Sequence, residues 1–496
     1  MTGEVDGAAR RHLLRADGQE DLCFALWHPS QGRTRTTALI RELILPLPGD
    51  RNVHGNVSFE PHYFQRALAL AAAQGAGLAL MHSHPMGRGW QGMSDDDIVA
   101  EQGHAAAVYG ATDLPFVGLT MAGDTAWSAR FWGRTAPRTY PGQWCGSVRV
   151  VGKSLGLHFN EELAPRPTAT NEQVRTVSAW GPDCQADLAR LRVGVIGAGS
   201  VGGVIAEALG RTGIEDVMIL DFDVIEEHNL DRLVYATRAD IGRPKIEVLA
   251  EHLHARATAS PFMAEQILAA VYEEEGFRAA LDCDVLFACV DRPWGRYILN
   301  LIAYAHLIPV IDGGIAVRTN RFGKLTSADW RAHTATVGRP CLHCLGQYDP
   351  GYVQTEREGM LDSPAYIAGL PKDHPLKARE NVFAFSMACG SMQMLQMLNY
   401  VISPLERSDP GPELYHFVGS FMEPPSVTDC RPECVYPTLI AKGDHSGIIA
   451  TGPNPPGLVV AVRSATDPTP NAPRSLGNRL LDYARHIFSM TGRRAQ

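Results

Sequence analysis

The chain has 496 residues, with 45 basic and 54 acidic side chains, a formal charge of −9 and a pI near 6.1. This length exceeds what one hydrophobic core usually supports, so two or three domains are expected. The mildly acidic balance argues against nucleic acid or an acidic membrane as partner. Neither a charged-then-apolar leader nor an apolar run of about 18 residues is present, so the expected location is the cytoplasm.

Residues 1–140 predict a small mixed α/β domain. Strand-like runs such as residues 36–47 alternate with one clear helix, residues 60–74, which precedes a strand over residues 78–85. A connector that contains Gly and Pro follows over residues 141–171.

A second, larger α/β domain is predicted over residues 172–440. Residues 188–225 have the pattern of strand, glycine turn, helix and strand, which is the first βαβ unit of a Rossmann-like, doubly wound sheet. Strands over residues 283–291 and 307–317 extend this sheet, and the apolar residues 381–402 predict a long buried helix.

The remaining residues, 441–496, are rich in Pro. They predict a weakly constrained tail with one short helix at about residues 476–490. The predicted fold class is therefore α/β in both domains, followed by an appendage.

Two histidines end the last predicted strand of the N-terminal domain. His82 and His84 are two residues apart, so their side chains point to the same face, as two ligands of one ion must. Asp97 can supply a third ligand. Three protein ligands leave the fourth tetrahedral position of zinc to water, which is the open arrangement of a catalytic site. Such a water has a pKa of about 7 and can attack a carbonyl once a base takes its proton.

The base has to come from another part of the chain. Glu42, in a strand upstream of the histidines, is the best candidate, and Glu60, at a helix entry before Pro61, is a weaker one. Ser94 can donate a hydrogen bond to the oxyanion that forms during attack. The alternative for Ser94 and Asp97 is a capping pair, because Ser followed three residues later by an acid is common at a helix start.

Together these residues resemble the JAMM motif of the JAB/MPN metalloprotease family. The matching pattern is His-x-His-Pro, then Ser-x-x-Asp, with Glu42 at the place of the family's upstream glutamate, over about residues 20–130. The resemblance implies a zinc-dependent, deubiquitinase-like isopeptidase. Eight residues separate Pro85 from Ser94, more than in the better-known eukaryotic members, and we expect this loop to alter substrate choice. A scaffold that has lost its metal is the noncatalytic alternative.

A glycine-rich turn opens the second domain. Gly197, Gly199 and Gly202 follow a strand and begin a helix, where backbone N–H groups can bind phosphate. Asp221 closes the next strand, where an acid can bind ribose hydroxyls. These features suit NAD as well as ATP.

Residues further along the chain favour ATP. Asn229, Arg232 and Lys245 bring hydrogen-bond donors and two positive charges toward phosphate, which an ATP α-phosphate under attack needs and a redox dinucleotide does not. Asp291 follows a strand at its carboxyl end and is placed to hold Mg²⁺. An NAD-dependent oxidoreductase is the poorer fit.

This set resembles the adenylating domain of ubiquitin-activating enzymes and of the related ThiF/MoeB-type adenylyltransferases, over about residues 172–437. The family pattern falls on these residues: Asp221, Asp223, Asn229, Arg232, Lys245 and Asp291. The resemblance implies ATP, Mg²⁺ and a ubiquitin-like β-grasp partner whose C-terminus is adenylated. It also implies a homodimer, because Arg175 matches an arginine that reaches into the partner subunit's ATP site.

Ten cysteines are too few for a disulfide scaffold, but four of them form two close pairs. Cys341 and Cys344, with Cys430 and Cys434, are expected to hold a structural zinc through four thiolates. They resemble the family's zinc pairs, although the second spacing is one residue longer than usual. Four unrelated buried cysteines are the alternative.

A cysteine for a thioester intermediate is missing from the expected segment. Residues 345–388 contain no cysteine, and Cys389 lies in an apolar helix where a buried thiol is expected. We therefore expect an acyl-adenylate that passes directly to another protein's thiol or sulfur donor.

The leading hypothesis is a bifunctional enzyme of a prokaryotic ubiquitin-like modification system. Its peptidase cleaves after the C-terminal glycine of a ubiquitin-like protein, and its second domain adenylates that C-terminus, with a conjugating enzyme as a further partner. The alternative is activation of a ubiquitin-like sulfur carrier for thiocarboxylate formation in cofactor, cysteine or siderophore biosynthesis. A noncatalytic MPN scaffold is an alternative of another class.

Overall fold

The computed structural model describes residues 1–370, 380–404 and 410–446, which all belong to one compact unit. The predicted C-terminal helix and all of the predicted tail after residue 446 lie outside the described residues. None of the described helices combines the length and the apolar character that a membrane span requires.

The described α-helices have the following bounds: α1 Gly3–Leu13, α2 Pro61–Gln74, α3 Asp95–Thr112, α4 Val174–Trp180, α5 Pro182–Ala189, α6 Ser200–Thr212, α7 Lys245–His254, α8 Glu274–Ala280, α9 Pro293–Ala305, α10 Pro350–Arg357, α11 Pro364–Gly369, α12 Phe383–Ile402 and α13 Tyr436–Leu439. The described strands are β1 Leu22–Gln31, β2 Thr36–Ile44, β3 Arg51–His54, β4 Asn56–Phe59, β5 Gly77–His84, β6 Phe116–Ala122, β7 Trp127–Trp132, β8 Gly142–Trp144, β9 Ser147–Val151, β10 Leu155–Phe159, β11 Arg192–Ile196, β12 Asp216–Leu220, β13 Met263–Ile267, β14 Val285–Ala288, β15 Val310–Thr319, β16 Leu325–Ala335, β17 Glu413–His416 and β18 Phe421–Glu423.

The N-terminal residues form a six-stranded mixed sheet with the order β2-β1-β5-β6-β7-β8. Only β5 and β6 run parallel, and the other neighbours are antiparallel. Side chains of α2 and α3 cover one face, and α1 packs with β9 on the other. This sheet places the end of β5, and therefore His82 and His84, close to the start of α3.

The predicted helix over residues 60–74 is α2. It begins at Pro61, whose fixed φ suits a first helical turn, and it ends at Gly75, which has φ 63°. A left-handed residue at this position is the usual glycine C-cap.

The predicted connector over residues 141–171 contains strands that the sequence analysis did not anticipate. β8 adds to the edge of the first sheet, and β9 pairs with β10 in a separate hairpin. Both hairpin strands are only five residues long, and strands this short give little periodic signal in a sequence.

The second sheet has eight strands in the order β13-β12-β11-β14-β15-β16-β17-β18. The first five are parallel and the last three antiparallel. Two buried clusters cover its faces, with α8 and α9 in one and α6, α7 and α12 in the other. The predicted Rossmann-like doubly wound domain is confirmed, as is the long buried helix, which is α12.

Candidate functional site

The first candidate site lies where β5 ends. β1 and β6 flank this strand, and His82 pairs with Leu22 of β1 and with Thr120 of β6. His82 is only 5% exposed, and burial lowers its pKa to about 3. Its imidazole is therefore neutral at neutral pH, which is the form that binds a metal.

Asp97 approaches the two histidines from the first turn of α3. Ser94 is the N-cap of that helix and forms a capping box with Asp97. The Asp97 Oδ2 atom accepts hydrogen bonds from the Ser94 backbone N–H at 2.9 Å and from the Ser94 hydroxyl at 2.8 Å. The capping pair that the sequence allowed as an alternative is present, and it holds the carboxylate beside the histidines.

The three side chains have the spacing of a tetrahedral zinc site. The Nε2 atoms of His82 and His84 are 3.2 Å apart, and the Asp97 carboxylate oxygens lie 3.4 Å from His82 Nε2 and 3.5 Å from His84 Nε2. Bonds of 2.0–2.1 Å at tetrahedral angles separate ligand atoms by about 3.3 Å. The donor set and its spacing therefore fit zinc with one further position.

Glu42 does not lie at this site, so the structure contradicts the prediction that Glu42 is placed to act as the base. It is an exposed residue of β2 that pairs with Leu26 of β1, whereas His82 pairs with Leu22. Four residues along a strand amount to about 13 Å. The weaker candidate, Glu60, accepts a hydrogen bond from the Asn52 amide.

Glu20, which belongs to none of the motifs recognised in the sequence, lies at this site. This half-buried residue comes two positions before β1, and it lines a cavity of about 490 Å³ together with His82 and Asp97. Burial raises the pKa of Glu20, and His84 and Asp97 are its charged neighbours. No local spacing indicated Glu20, because the antiparallel pairing of β1 with β5 brings it near the histidines.

The second candidate site lies at the carboxyl ends of β11, β12 and β14. Gly197 follows β11 with φ 101°, a conformation that favours glycine. A Cβ on Gly202 would lie 1.9 Å from the Gly197 carbonyl oxygen, so the helix can start under this turn only with glycine there. The Asp221 carboxylate accepts a hydrogen bond from the Ala198 N–H at 2.6 Å and fixes the turn.

Asp223 and Lys245 form an ion pair in this cavity, with Nζ 2.7 Å from Oδ2. Burial opposes the Lys245 charge, but the carboxylates of Asp221 and Asp223 outweigh it and raise the pKa of the ammonium. Burial also raises the pKa of Asp221. Lys245 is thus a firmly protonated cation that lines the predicted nucleotide site.

One cavity of about 1160 Å³ contains most of the residues that the sequence analysis selected for the nucleotide: Gly197, Gly199, Asp221, Asp223, Asn229, Arg232, Lys245 and Asp291. Gly202 is not part of the lining because it packs beneath the turn. Arg175 is exposed on α4 and does not line the cavity of its own chain.

Further polar residues of the cavity carried no local signal in the sequence. Arg296 of α9 and Arg331 of β16 both pair with the buried Asp312 carboxylate and line the cavity wall. The Ser200 hydroxyl, in the first turn of α6, is buried and has no hydrogen-bond partner among the described residues. A buried donor at a helix N-terminus suits a phosphate oxygen.

The four paired cysteines converge as predicted, with all four sulfur atoms within 4.8 Å of one another. Cys341 Sγ and Cys434 Sγ are 3.6 Å apart, close to the separation of about 3.8 Å that Zn–S bonds of 2.3 Å give in a tetrahedron. Backbone N–H groups of Cys341 and Arg431 point at Cys430 and Cys344 sulfur atoms. The cluster fits a closed structural zinc.

Cys389 is fully buried in α12, and burial raises its pKa to about 12. Its thiol faces the carbonyl oxygens of Gly314 and Arg331. A thiol in this state is a poor nucleophile, which agrees with the expectation that it carries no thioester.

The parallel sheet, its glycine turn and the charged cavity define a Rossmann-type nucleotide-binding protein. The model of the ThiF family matches residues 170–434, and the chain belongs to that family. The N-terminal sheet with the His82 site precedes the matched region.

Curated relatives match a third of this chain or slightly more. The chain is 29% identical over 165 residues to a SAMP-activating enzyme E1 of Haloferax volcanii, which is 33% of this chain and 57% of that protein. It is 28% identical over 166 residues to the molybdopterin-synthase adenylyltransferase of Escherichia coli, 33% of this chain and 62% of that protein. A sulfur carrier protein ThiS adenylyltransferase of Bacillus subtilis is 29% identical over 189 residues, 38% of this chain and 53% of that protein. The chain thus spans little more than half the length of these relatives.

Among solved structures, E. coli MccB with ATP superposes with a TM-score of 0.41 at 17% identity, covering 54% of this chain and 75% of that one.

Proposed function

We propose that this chain uses ATP to adenylate the C-terminal carboxylate of a ubiquitin-like β-grasp protein. The observation that carries the proposal is the single cavity in which the glycine turn, Arg232, Lys245 and Asp291 meet. The named functions of the relatives, which include adenylyltransferases for a sulfur carrier and a SAMP-activating enzyme, support the same reaction.

In this reaction the carboxylate oxygen attacks the α-phosphorus of ATP, and pyrophosphate leaves. Lys245 and Arg232 neutralise charge that develops on the phosphate oxygens. The glycine turn at the start of α6 presents N–H groups to phosphate. Asp291 would hold Mg²⁺, which supplies further charge neutralisation when bound.

The chemistry of the chain favours a sulfur carrier over a modifier that is held as a thioester. Residues 345–388 contain no cysteine, and Cys389 is buried. The adenylate therefore passes directly to an external sulfur donor or thiol. In a homodimer, the exposed Arg175 would complete the partner subunit's cavity.

The test is ATP–pyrophosphate exchange with the β-grasp protein encoded nearest to the gene for this chain. Asp291→Asn should lower the exchange rate by about 100-fold or more, because it removes a group that acts only on the reacting phosphates. Asp187→Asn, on α5 and outside the cavity lining, should retain the rate. Equal rates in both variants would contradict the assignment.

A second function is carried by the His82, His84 and Asp97 cluster: zinc-dependent cleavage after the terminal glycine of the same ubiquitin-like protein. The ligand atoms lie 3.2–3.5 Å apart, which suits zinc with an open position. Bound zinc would supply Lewis acidity and an acidified water. Glu20 would take the proton of that water and deliver it to the leaving amine, because its half-buried carboxyl lines the same cavity.

Two glutamates of the N-terminal domain provide a pair of variants for the cleavage. Glu20→Gln should lower cleavage of a C-terminally extended β-grasp protein by about 100-fold to 10,000-fold and retain the zinc, whereas Glu42→Gln should leave cleavage unchanged. Intact-mass spectrometry measures the cleavage and metal analysis the zinc. Loss of activity in Glu42→Gln alone would return the role to that residue, and no cleavage by the unaltered enzyme would favour the scaffold.

A further inference from the structure

The turn between β1 and β2 anchors the N-terminal sheet to the parallel sheet. The backbone N–H groups of Thr34 and Arg35 donate to the Asp282 carboxylate at 2.9–3.2 Å. The Arg35 guanidinium donates to Asp284 at 2.7 Å. We name this set of hydrogen bonds, together with those of the next paragraph, the interdomain contact.

Two further elements of the N-terminal half, β9 and α1, also reach this place, and the end of β1 contributes Ser30. The Ser30 hydroxyl, near the end of β1, lies 2.8 Å from His306 Nδ1. The Arg149 guanidinium of β9 donates to Asp284 at 2.9 Å, and the N-terminal ammonium, just before α1, donates to the Arg149 carbonyl oxygen. The interdomain contact therefore combines charged and neutral polar groups, and the side chains of Ser30, Asp282, Asp284 and His306 in it are buried.

On the side of the second domain, the interdomain contact lies at the amino ends of the parallel strands. Asp284 immediately precedes β14, and it accepts a hydrogen bond from the N–H of Arg192, the first residue of β11. The nucleotide cavity opens at the carboxyl ends of the same strands, where Gly197 and Asp291 lie. The length of β14, about 13 Å, separates the contact from the cavity.

On the side of the first domain, the metal cluster lies at the far end of β1. His82 pairs with Leu22, the first residue of β1, and Ser30 at the interdomain contact is eight residues further along. Eight residues of strand span about 26 Å. Helix α1 also extends from the interdomain contact to the metal cluster. It starts at the contact, and at its other end the Leu13 carbonyl accepts a hydrogen bond from the hydroxyl of Ser83, next to His82.

We propose that the two sites face away from each other, so that a ubiquitin-like protein trimmed at the metal cluster leaves the enzyme before its C-terminus is adenylated. This inference rests on the proposed function of both sites. An extended tail spans at most about 3.6 Å per residue, so more than seven residues would be needed to follow β1 alone. The fused chain thus offers both activities to the same ubiquitin-like protein, but it does not pass the trimmed protein directly from the metal cluster to the nucleotide cavity.

A dilution experiment with the full chain tests the proposal. The probe is the β-grasp protein of the preceding experiments, isotopically labelled and extended beyond its glycine, with ATP and Mg²⁺. A 100-fold excess of unlabelled, already trimmed protein is present from the start. If the trimmed product is released, the excess should reduce the labelled adenylate about 100-fold, and it should do so equally for labelled protein supplied already trimmed, which is the control.

Labelled adenylate that resists dilution when it derives from the extended probe, but not from the trimmed one, would overturn the inference and leave both activities standing. Intact mass in the same samples reports the trimming itself. An extended probe that is never trimmed would refute the proposed peptidase, and this inference with it.

Discussion

At the scale of single residues, the capping box of Ser94 and Asp97 both caps helix α3 and orients a carboxylate toward the histidines. The capping box aligns the Asp97 carboxylate through two hydrogen bonds from Ser94, and the same carboxylate faces both histidines. The Ser94 hydroxyl is exposed and does not line the cavity at the site. Its part as an oxyanion donor remains a prediction, while its part in holding Asp97 is visible.

Removal of the Ser94 hydroxyl should therefore weaken zinc binding. We expect Ser94→Ala to lower zinc affinity at the His82 cluster about 10-fold to 100-fold, because groups that orient a ligand have effects of this size. Competition with a chromogenic chelator measures the affinity. Ser94→Thr, which keeps the cap, and Asp95→Asn, an exposed neighbour in the same turn, should bind zinc normally. Unchanged affinity in Ser94→Ala would show that Asp97 needs no such support.

At the scale of elements, the cysteine cluster joins two segments that are far apart in sequence. Cys341 and Cys344 follow β16, whereas Cys430 and Cys434 precede α13. The hydroxyls of Tyr348 and Tyr436 are hydrogen bonded beside the cluster at 2.5 Å. Both segments pack on α9 through the same buried cluster, so the metal would close this side of the second domain.

Loss of one thiolate should cost considerable stability. We expect Cys344→Ser to lower the zinc content by one ion per chain and the free energy of unfolding by about 4 kcal/mol or more, because loss of a structural metal is among the largest single-site effects. Cys184→Ser, outside the cluster, is the control. Metal analysis and urea unfolding make the measurement. A variant that loses zinc and unfolds like the unaltered chain would mean that the ion is not structural.

At the scale of the whole molecule, the interdomain contact contains a buried histidine, His306, whose side chain accepts or donates a hydrogen bond across it to Ser30. His306 is 1% exposed, and burial, with a smaller effect of the nearby Arg278, lowers its pKa to about 3. The unfolded chain takes up this proton below about pH 6.5 and the folded chain does not until about pH 3. Stability is therefore lost as the pH falls through this window, and the contribution is absent above it.

His306→Asn should make the protein less sensitive to acid. Between pH 6.5 and pH 5 the variant should lose about 1.6 kcal/mol less unfolding free energy than the unaltered chain, because the unfolded imidazole is half protonated at pH 6.5 and almost fully protonated at pH 5. Urea unfolding at the two pH values gives the comparison, and His54→Asn, an exposed residue of β3, is the control. Identical losses in the unaltered chain and in His306→Asn would contradict the assigned origin of the acid sensitivity.

Local sequence patterns were sufficient to predict several elements and candidate ligand residues of this protein. The glycine turn, the acids that end parallel strands, the His-x-His pair and the cysteine pairs depend on spacings of a few residues within one element or one turn. Such spacings follow from the two-residue repeat of a strand and from the geometry of a helix start. The first βαβ unit with its glycine turn and the ligand types of both metal clusters could therefore be predicted from local spacing, whereas the meeting of the two cysteine pairs was expected from the family resemblance.

Tertiary structure decided what depends on strand pairing and on contacts between distant segments. Glu20, and not Glu42, lies near the histidines, because the antiparallel register puts Leu22, and not Leu26, opposite His82. Arg296 and Arg331 join the cavity only through the buried Asp312. The opposed directions of the two sites follow from the ends of strands that meet at the interdomain contact, and no local spacing in a sequence records which strand ends meet.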